Sequence, residues 1–416
     1  MRLGNAARRV LLPLALTALI MLGVSVPVMS LAAFLIVAVY MFIASADDSF
    51  ALLFYLLPFA CVFKTSPGGA SMMTYLQLVL AFRLIISGKK VHAGFLVAWL
   101  ALLLYDVIGF DWQVTTLIKQ VTIPLVMYCY FARSRSDFRQ ITLYYAWGLL
   151  VSSVLAQFLD RIPNLASYVS YERAYDVAGQ VYRYAGMYSD PNYYSNALIL
   201  TMAGMLLLIT RGKLSAWYYL MCLAFIIFGA QTVSKSFILL LALVAVAYVY
   251  MQIRRRKYGA AAAVSVIILI ALLLILSGKV AIFQNTLLRF LSGDLTTNRS
   301  NIWAYYLEVF ASDPLRLMVG RGIGSTQISF AAHNTYIDFL YYYGLAGILL
   351  FIAACVCACV RIKLRRRDLV SFTPLALLAI SACFLSMLMY YDFSFNLIYV
   401  MCVLNRDSGE PHLRVA

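Results

Sequence analysis

The chain is 416 residues long, 64% hydrophobic and only 12% charged, with a mean hydropathy of +0.86 and a formal charge of +16. A soluble domain is about 45–50% apolar and about 25% charged, so the composition excludes an ordinary soluble enzyme and points to the membrane. Nor is the positive balance a sign of nucleic acid where basic residues fall on alternate loops, because they then record topology.

Apolar runs of bilayer-spanning length are predicted at 10–28, 30–46, 50–64, 72–87, 94–110, 114–131, 139–159, 191–210, 214–231, 235–252, 259–277, 335–360, 372–390 and 392–405. The first follows Arg2, Arg8 and Arg9 but lacks a small-x-small cleavage site, so it reads as a retained helix and not a signal peptide. Lysine and arginine then gather at 2–9, 89–90, 133–139, 211–213, 254–257, 361–367 and 406–414, which takes in 21 of the 33 basic residues. All lie on one side if fourteen spans alternate, and both termini are then cytoplasmic. The expected fold class is all-α: a polytopic integral membrane protein of about 12–14 transmembrane helices, one transmembrane domain over 1–405 with a tail at 406–416.

Two long segments fall on the other side. The first, 160–190, holds Arg161, Arg173 and Arg183 beside Asp160, Glu172, Asp176 and Asp190. The second, 278–334, holds Lys279, Arg289, Arg299, Arg316 and Arg321 with Asp294, Glu308 and Asp313. Basic residues there run against the topological bias and favour an anionic partner. Neither segment is long enough to carry a core of its own, so any activity is built where loops meet helix ends. Ile302, Trp303, Tyr306, Leu307 and Phe310 recur at helical spacing, which predicts an amphipathic helix along the membrane interface. Asp313-Pro314 stops it, Gly320, Gly322 and Gly324 make a bend, and Ile282 to Leu291 reads as a similar short helix.

Several chemistries find no motif. There is no Walker-type phosphate loop and no HExxH, and no two histidines share a face, so neither an ATP motor nor a metal centre is expected. The eight cysteines lie in or beside apolar runs and imply no disulfide framework. What remains is a set of cations and one histidine. His333, just before Asn334 and an apolar run, is either a capping or hydrogen-bonding residue or a proton acceptor for a hydroxyl. Asn334 or Thr335 caps the helix that follows, and Asp338 shares a face with them. Arg183 precedes a span that Asp190 and Pro191 start, and arginine suits phosphate through its planar fork. Lys235 begins a span, where it either snorkels to the interface or neutralises a diphosphate.

RYAGMYSDPN (183–192), TVSKS (232–236), NRSNIW (298–303), DPLRLMVGRGIGS (313–325) and HNTYIDFLYYYGLAGILLF (333–351) together resemble the O-antigen polymerase and O-antigen ligase superfamily of bacterial polysaccharide enzymes. The resemblance covers the order of spans, two long periplasmic loops and about half the chain at motif level. It implies an inner-membrane, metal-independent and cofactor-free inverting glycosyltransferase of polysaccharide (O-antigen, lipopolysaccharide) biosynthesis, working at the periplasmic face on glycans carried by undecaprenyl pyrophosphate. By that resemblance His333 matches the proposed base, Arg299 the arginine before the Ile-Trp pair, and Arg183 the arginine of the RxxG segment. Lys235 stands where the family commonly has arginine; it keeps the charge but loses the fork. Arg289 and Arg321 are supporting pyrophosphate ligands. The expected function is a polymerase joining lipid-linked repeat units, with donor and acceptor glycans, membrane lipids and a chain-length regulator protein as partners and no nucleic acid. The alternatives are a ligase transferring polymer to lipid A-core and a lipid-linked glycan transporter.

Overall fold

The computed structural model of the chain describes residues 2–86, 91–109, 114–131, 138–158, 161–169, 172–176, 179–262, 265–266, 273, 277, 299–322, 331–359, 369–387 and 391–404. The regular structure among those residues is helical apart from one short hairpin. α1 (Arg2–Gly23) and α2 (Pro27–Ile43) open the chain, and Pro27 sits in the first turn of α2, where its missing N–H leaves no partner wanting. α3 (Ala46–Leu56) starts on Ser45, whose hydroxyl accepts the Asp48 N–H, and is followed by a tight turn over Leu57–Phe59. The run expected at 50–64 is therefore a short helix, enclosed by neighbours instead of crossing alone. α4 (Met72–Ile86), α5 (Ala93–Gly109), α6 (Val114–Phe131) and α7 (Phe138–Ala156) follow, with α3 packed chiefly on α7.

The first long loop is not wholly irregular. β1 (Glu172–Asp176) and β2 (Gly179–Arg183) pair antiparallel, with Glu172 opposite Arg183 and Asp176 opposite Gly179. The alternation in GQVYR is a period-2 pattern, which the charged residues of the loop mask in any reading by hydropathy.

α8 (Pro191–Thr210) is the central post. It is buried along nearly its whole length and touches α7, α9 (Tyr218–Gln231) and α10 (Lys235–Arg254). From the second long loop come α11 (Arg299–Ser312) and α12 (Pro314–Val319), ahead of α13 (Thr335–Cys359). α13 packs on α5 and α6, and α12 lies against α13. α14 (Thr373–Ala382) and α15 (Tyr391–Leu404) complete the chain and lean on α8. The run expected at 372–390 is thus a ten-residue helix, α14, followed by non-helical backbone. The runs expected at 259–277 and the short helix at 282–291 lie largely or wholly outside the described residues.

Among the described residues, α8, α10 and α13 are long and apolar enough to cross a membrane, and eight further apolar helical stretches are shorter. The large exposed side chains are mainly apolar and run in rows. Leu345, Leu349, Ile352 and Val356 of α13 are exposed at spacings of four, three and four, which is one helix face. Soluble proteins seldom leave such continuous apolar surface uncovered.

Candidate functional site

Arg183 ends β2 and is only 4% exposed. Its Nε donates to the Thr232 carbonyl at 3.1 Å and its Nη2 to Asn192 Oδ1 at 3.0 Å. The next residue, Tyr184, donates its N–H to the Gln231 carbonyl at 3.0 Å. The hairpin is thereby fastened both to the turn between α9 and α10 and to the first turn of α8. Asn192 Oδ1 also accepts the Ser234 hydroxyl at 2.8 Å, and Ser234 is the N-cap of α10, accepting from the Phe237 N–H. Lys235 follows directly and is half-buried. Asp190 caps α8 by accepting the Asn192 N–H at 2.6 Å, with Pro191 in the first turn.

His333 comes to the same place from the other half of the chain. Asn334 Oδ1 accepts the N–H groups of Tyr336 and Ile337 at 3.0 and 3.2 Å, which caps α13 and fixes the histidine just ahead of it. The start of α11 is tied alongside by Trp303, whose Nε1 donates to the Ala332 carbonyl at 2.9 Å. The short 385–387 stretch clamps α13 to α8: Thr335 Oγ1 donates to the Leu385 carbonyl, and the Tyr193 hydroxyl donates to that of Ser386 at 2.6 Å. Asp338, buried one turn into α13, faces the Ser386 hydroxyl and the Ala332 backbone. The N-terminal ends of α8, α10, α11 and α13 thus converge, and each presents the positive end of its backbone dipole.

The imidazole of His333 is exposed at its surface and walled by protein behind. Partial burial holds its pKa below the ordinary histidine value; the charge of Arg299 lowers it further, while Asp190 pulls it back up. A neutral imidazole at neutral pH is the form that accepts a proton. His333 has φ 50° and Val233, the residue before the α10 cap, also has φ 50°. A side-chain-bearing residue in this left-handed region costs about 1–3 kcal/mol, and such outliers cluster at functional sites. Here both immediately precede the helix caps of the cluster.

Of the residues singled out in the sequence, Arg299 acts directly on His333, while Arg183 and Lys235 stand at the neighbouring starts of α8 and α10, joined through Asn192 and Ser234. Arg321 does not join them. It lies in the bend after α12, bonded to Asp313 at 3.3 Å and stacked 5.9 Å over the Tyr341 ring, two turns along α13 from the histidine. Arg289 lies outside the described residues. The apolar stripe expected on α11 is divided: Ile302, Tyr306 and Phe310 pack into a small second core with Ala332 and Tyr341, while Leu307 is exposed.

Asn192, Ser234 and Asp190 belong to the site, and of these only Asp190 was read from the sequence, as a helix cap; that Asn192 turns inward to serve two partners depends on the tertiary fold. Asp106 of α5 is a further residue hydropathy conceals. It is 1% exposed and faces Tyr343, with neither carboxyl oxygen in a hydrogen bond of normal geometry among the described residues. A carboxylate near the end of an apolar run was the available signal. Among the described residues, no three His, Cys, Asp or Glu side chains lie close enough to share a metal ion.

Compared with protein-family models, curated proteins and solved structures, the chain finds no match in any of the three. The chemistry of the site is therefore read from its own residues. Three cations and four helix N-termini border the region that holds the His333 imidazole and the Asp190 and Asp338 carboxyl groups. Such a place favours a multiply charged anion and sets a proton acceptor at its rim.

Proposed function

We propose that this chain is a bacterial inner-membrane polysaccharide polymerase of the O-antigen polymerase and ligase superfamily, with about 12–14 spans and both termini cytoplasmic. The single observation that carries this reading is the meeting of four helix starts at which His333, with Arg299 acting on it, lies near the helix ends that hold Arg183 and Lys235. The donor is a glycan on undecaprenyl pyrophosphate. Its diphosphate lies among the cations, which balance the charge that grows as the lipid diphosphate leaves the anomeric carbon. His333 takes the proton of the acceptor hydroxyl as that oxygen forms the new glycosidic bond with inversion. Arg183, buried and bonded to α8 and the α10 turn, acts chiefly by fixing the cluster and adding its field, whereas Lys235 and Arg299 are the nearer diphosphate ligands. Arg321 belongs to the scaffold beneath.

The direction of the helices supports a periplasmic site. α8, α10 and α13 all begin at the cluster, and each runs towards a basic segment: Arg211 and Lys213, 254–257, and 361–367. Basic residues mark the cytoplasmic side, which leaves the cluster on the other.

The test is purified protein incubated with its lipid-linked repeat unit and a chelator, with and without a lipid A-core acceptor. A ladder of products without that acceptor is the expected result, and His333→Ala should remove it while the protein still inserts and folds. Product only with lipid A-core makes the chain a ligase; no bond formation in either arm overturns the enzyme.

A further inference from the structure

The six residues of α12 carry an apolar face that no described residue covers. Leu315, Met318 and Val319 are 69%, 50% and 44% exposed at i, i+3 and i+4, while Leu317 on the opposite side turns to the small core with α11 and α13. The position of this face along its neighbours says what covers it. The Arg321 and Gly322 N–H groups donate to the Tyr341 and Tyr342 carbonyls of α13 at 2.9 and 3.0 Å. Those carbonyls are six and seven residues beyond Thr335, about 9–10 Å down the helix from its first turn. From the other side the Tyr105 hydroxyl is directed at both the Val319 and Tyr343 carbonyls, and Tyr105 lies four residues, about 6 Å, inside the end of α5. The α12 segment therefore dips below the ends of both helices that hold it.

We infer that α12 is a wedge immersed in one leaflet of the bilayer, with lipid acyl chains covering Leu315, Met318 and Val319. α13 is bent at Gly344, so the bend after α12 is held by the last turn of its first straight piece, about 9–10 Å from Thr335. With Thr335 at the headgroups, that is the depth of an interfacial helix, about 5–10 Å. The faces beside the wedge agree. Leu345 and Leu349 of α13, and Leu104 and Ile108 of α5, are exposed at or just past the same level, so the three elements make one apolar surface. The backbone meets the demand that hydrocarbon makes of irregular chain, namely that its polar groups find partners in the protein. Gly320 N–H is bonded to the Arg316 carbonyl at 2.7 Å, and Val319, Arg321 and Gly322 are served as above. The charges conform as well. Arg321 is paired with Asp313, and Arg316, about 100° round from the centre of the apolar face, has a stem long enough to reach the headgroups. The inference does not depend on the enzymatic reading.

The experiment is photo-crosslinking in vesicles of phosphatidylethanolamine and phosphatidylglycerol. p-Benzoylphenylalanine replaces Met318 in one variant, Leu315 in a second and Glu308, on the water-facing side of α11, in a third. Mass spectrometry should find lipid adducts several-fold more abundant at 318 and 315 than at 308, and either of the first two suffices if the other fails to insert. Adducts to a second copy of the chain, or lipid yields at 315 and 318 no higher than at 308, would overturn the wedge.

Discussion

At His333 two neighbours of opposite sign act on one imidazole. Arg299 disfavours the imidazolium and Asp190 favours it, so removing either charge moves the titration in a known direction. With a histidine as the base, activity needs the neutral ring and falls as pH drops through its pKa, which here lies below the ordinary value of about 6.5. Arg299→Gln should carry that acid limb to higher pH, and Asp190→Asn, which keeps a good N-cap, should carry it lower. The shifts are read in kcat/KM against pH. They are read independently in the rate of carbethoxylation at His333, by mass spectrometry. Movement of both variants in the same direction removes the electrostatic account. Asn192 supports a second prediction. Its Oδ1 holds both Arg183 and Ser234, and Asn192→Ala leaves buried donors without that acceptor, at a cost of about 1–3 kcal/mol visible as a lower Tm. Asn192→Asp keeps the acceptor and adds a negative charge. The fold should survive while KM for the lipid-diphosphate donor rises, and a lowered KM would mean that the anion does not bind there.

Among the elements, α13 departs most from what its sequence announces. The run 335–360 reads as one helix, yet Gly344 breaks it with φ 60° and ψ −178°, and Gly320 of the bend has φ 73° and ψ 176°. Both values fall where essentially only glycine is found. The two backbones touch: a Cβ on Gly344 would come within 2.3 Å of the Gly320 nitrogen, and one on Gly320 within 2.3 Å of the Tyr342 carbonyl oxygen. The glycine bend and the YYYG segment are thus two halves of one joint, which hydropathy cannot report because each half is locally unexceptional. Gly344→Ala and Gly320→Ala should each destabilise by about 3 kcal/mol or more, strain and overlap together. Gly94→Ala, with open space around it, should be neutral or slightly favourable in its helix. Thermal unfolding in detergent followed by size-exclusion retention compares the three. The hairpin of Glu172 to Arg183 was hidden for a different reason, since two five-residue strands rich in charge resemble a solvated loop. Helix starts, by contrast, were partly legible: Asp190-Pro191 and Asn334 cap as expected, whereas Asp313-Pro314, expected only to stop α11, also starts α12, and Ser234 caps α10 unannounced.

For the molecule as a whole, the apolar runs announced the helices, but their lengths depend on neighbours. α3 and α14 are short because they are enclosed or stopped by turns, while α8, α10 and α13 keep full length. These three share a polarity that no single run reveals: all start at the His333 cluster and end towards basic residues. At the far end of α8, Arg255 donates to the Thr210 carbonyl and Arg211 Nη2 donates to the Ser371 hydroxyl at 2.7 Å. Cations there complement the negative helix terminus and, in the proposed topology, mark the cytoplasmic face, so charge and dipole agree on direction. The consequence is testable without substrate. A cysteine replacing Ala304, exposed on α11, should react with a membrane-impermeant maleimide once the outer membrane is opened. One replacing Arg256 should react only after the inner membrane is also breached. Native cysteines are buried or half-buried, and a wild-type control measures their background. If Arg256→Cys labels first and Ala304→Cys stays dark until lysis, the cluster faces the cytoplasm, the proposed periplasmic polymerase falls, and the site around His333 needs another substrate.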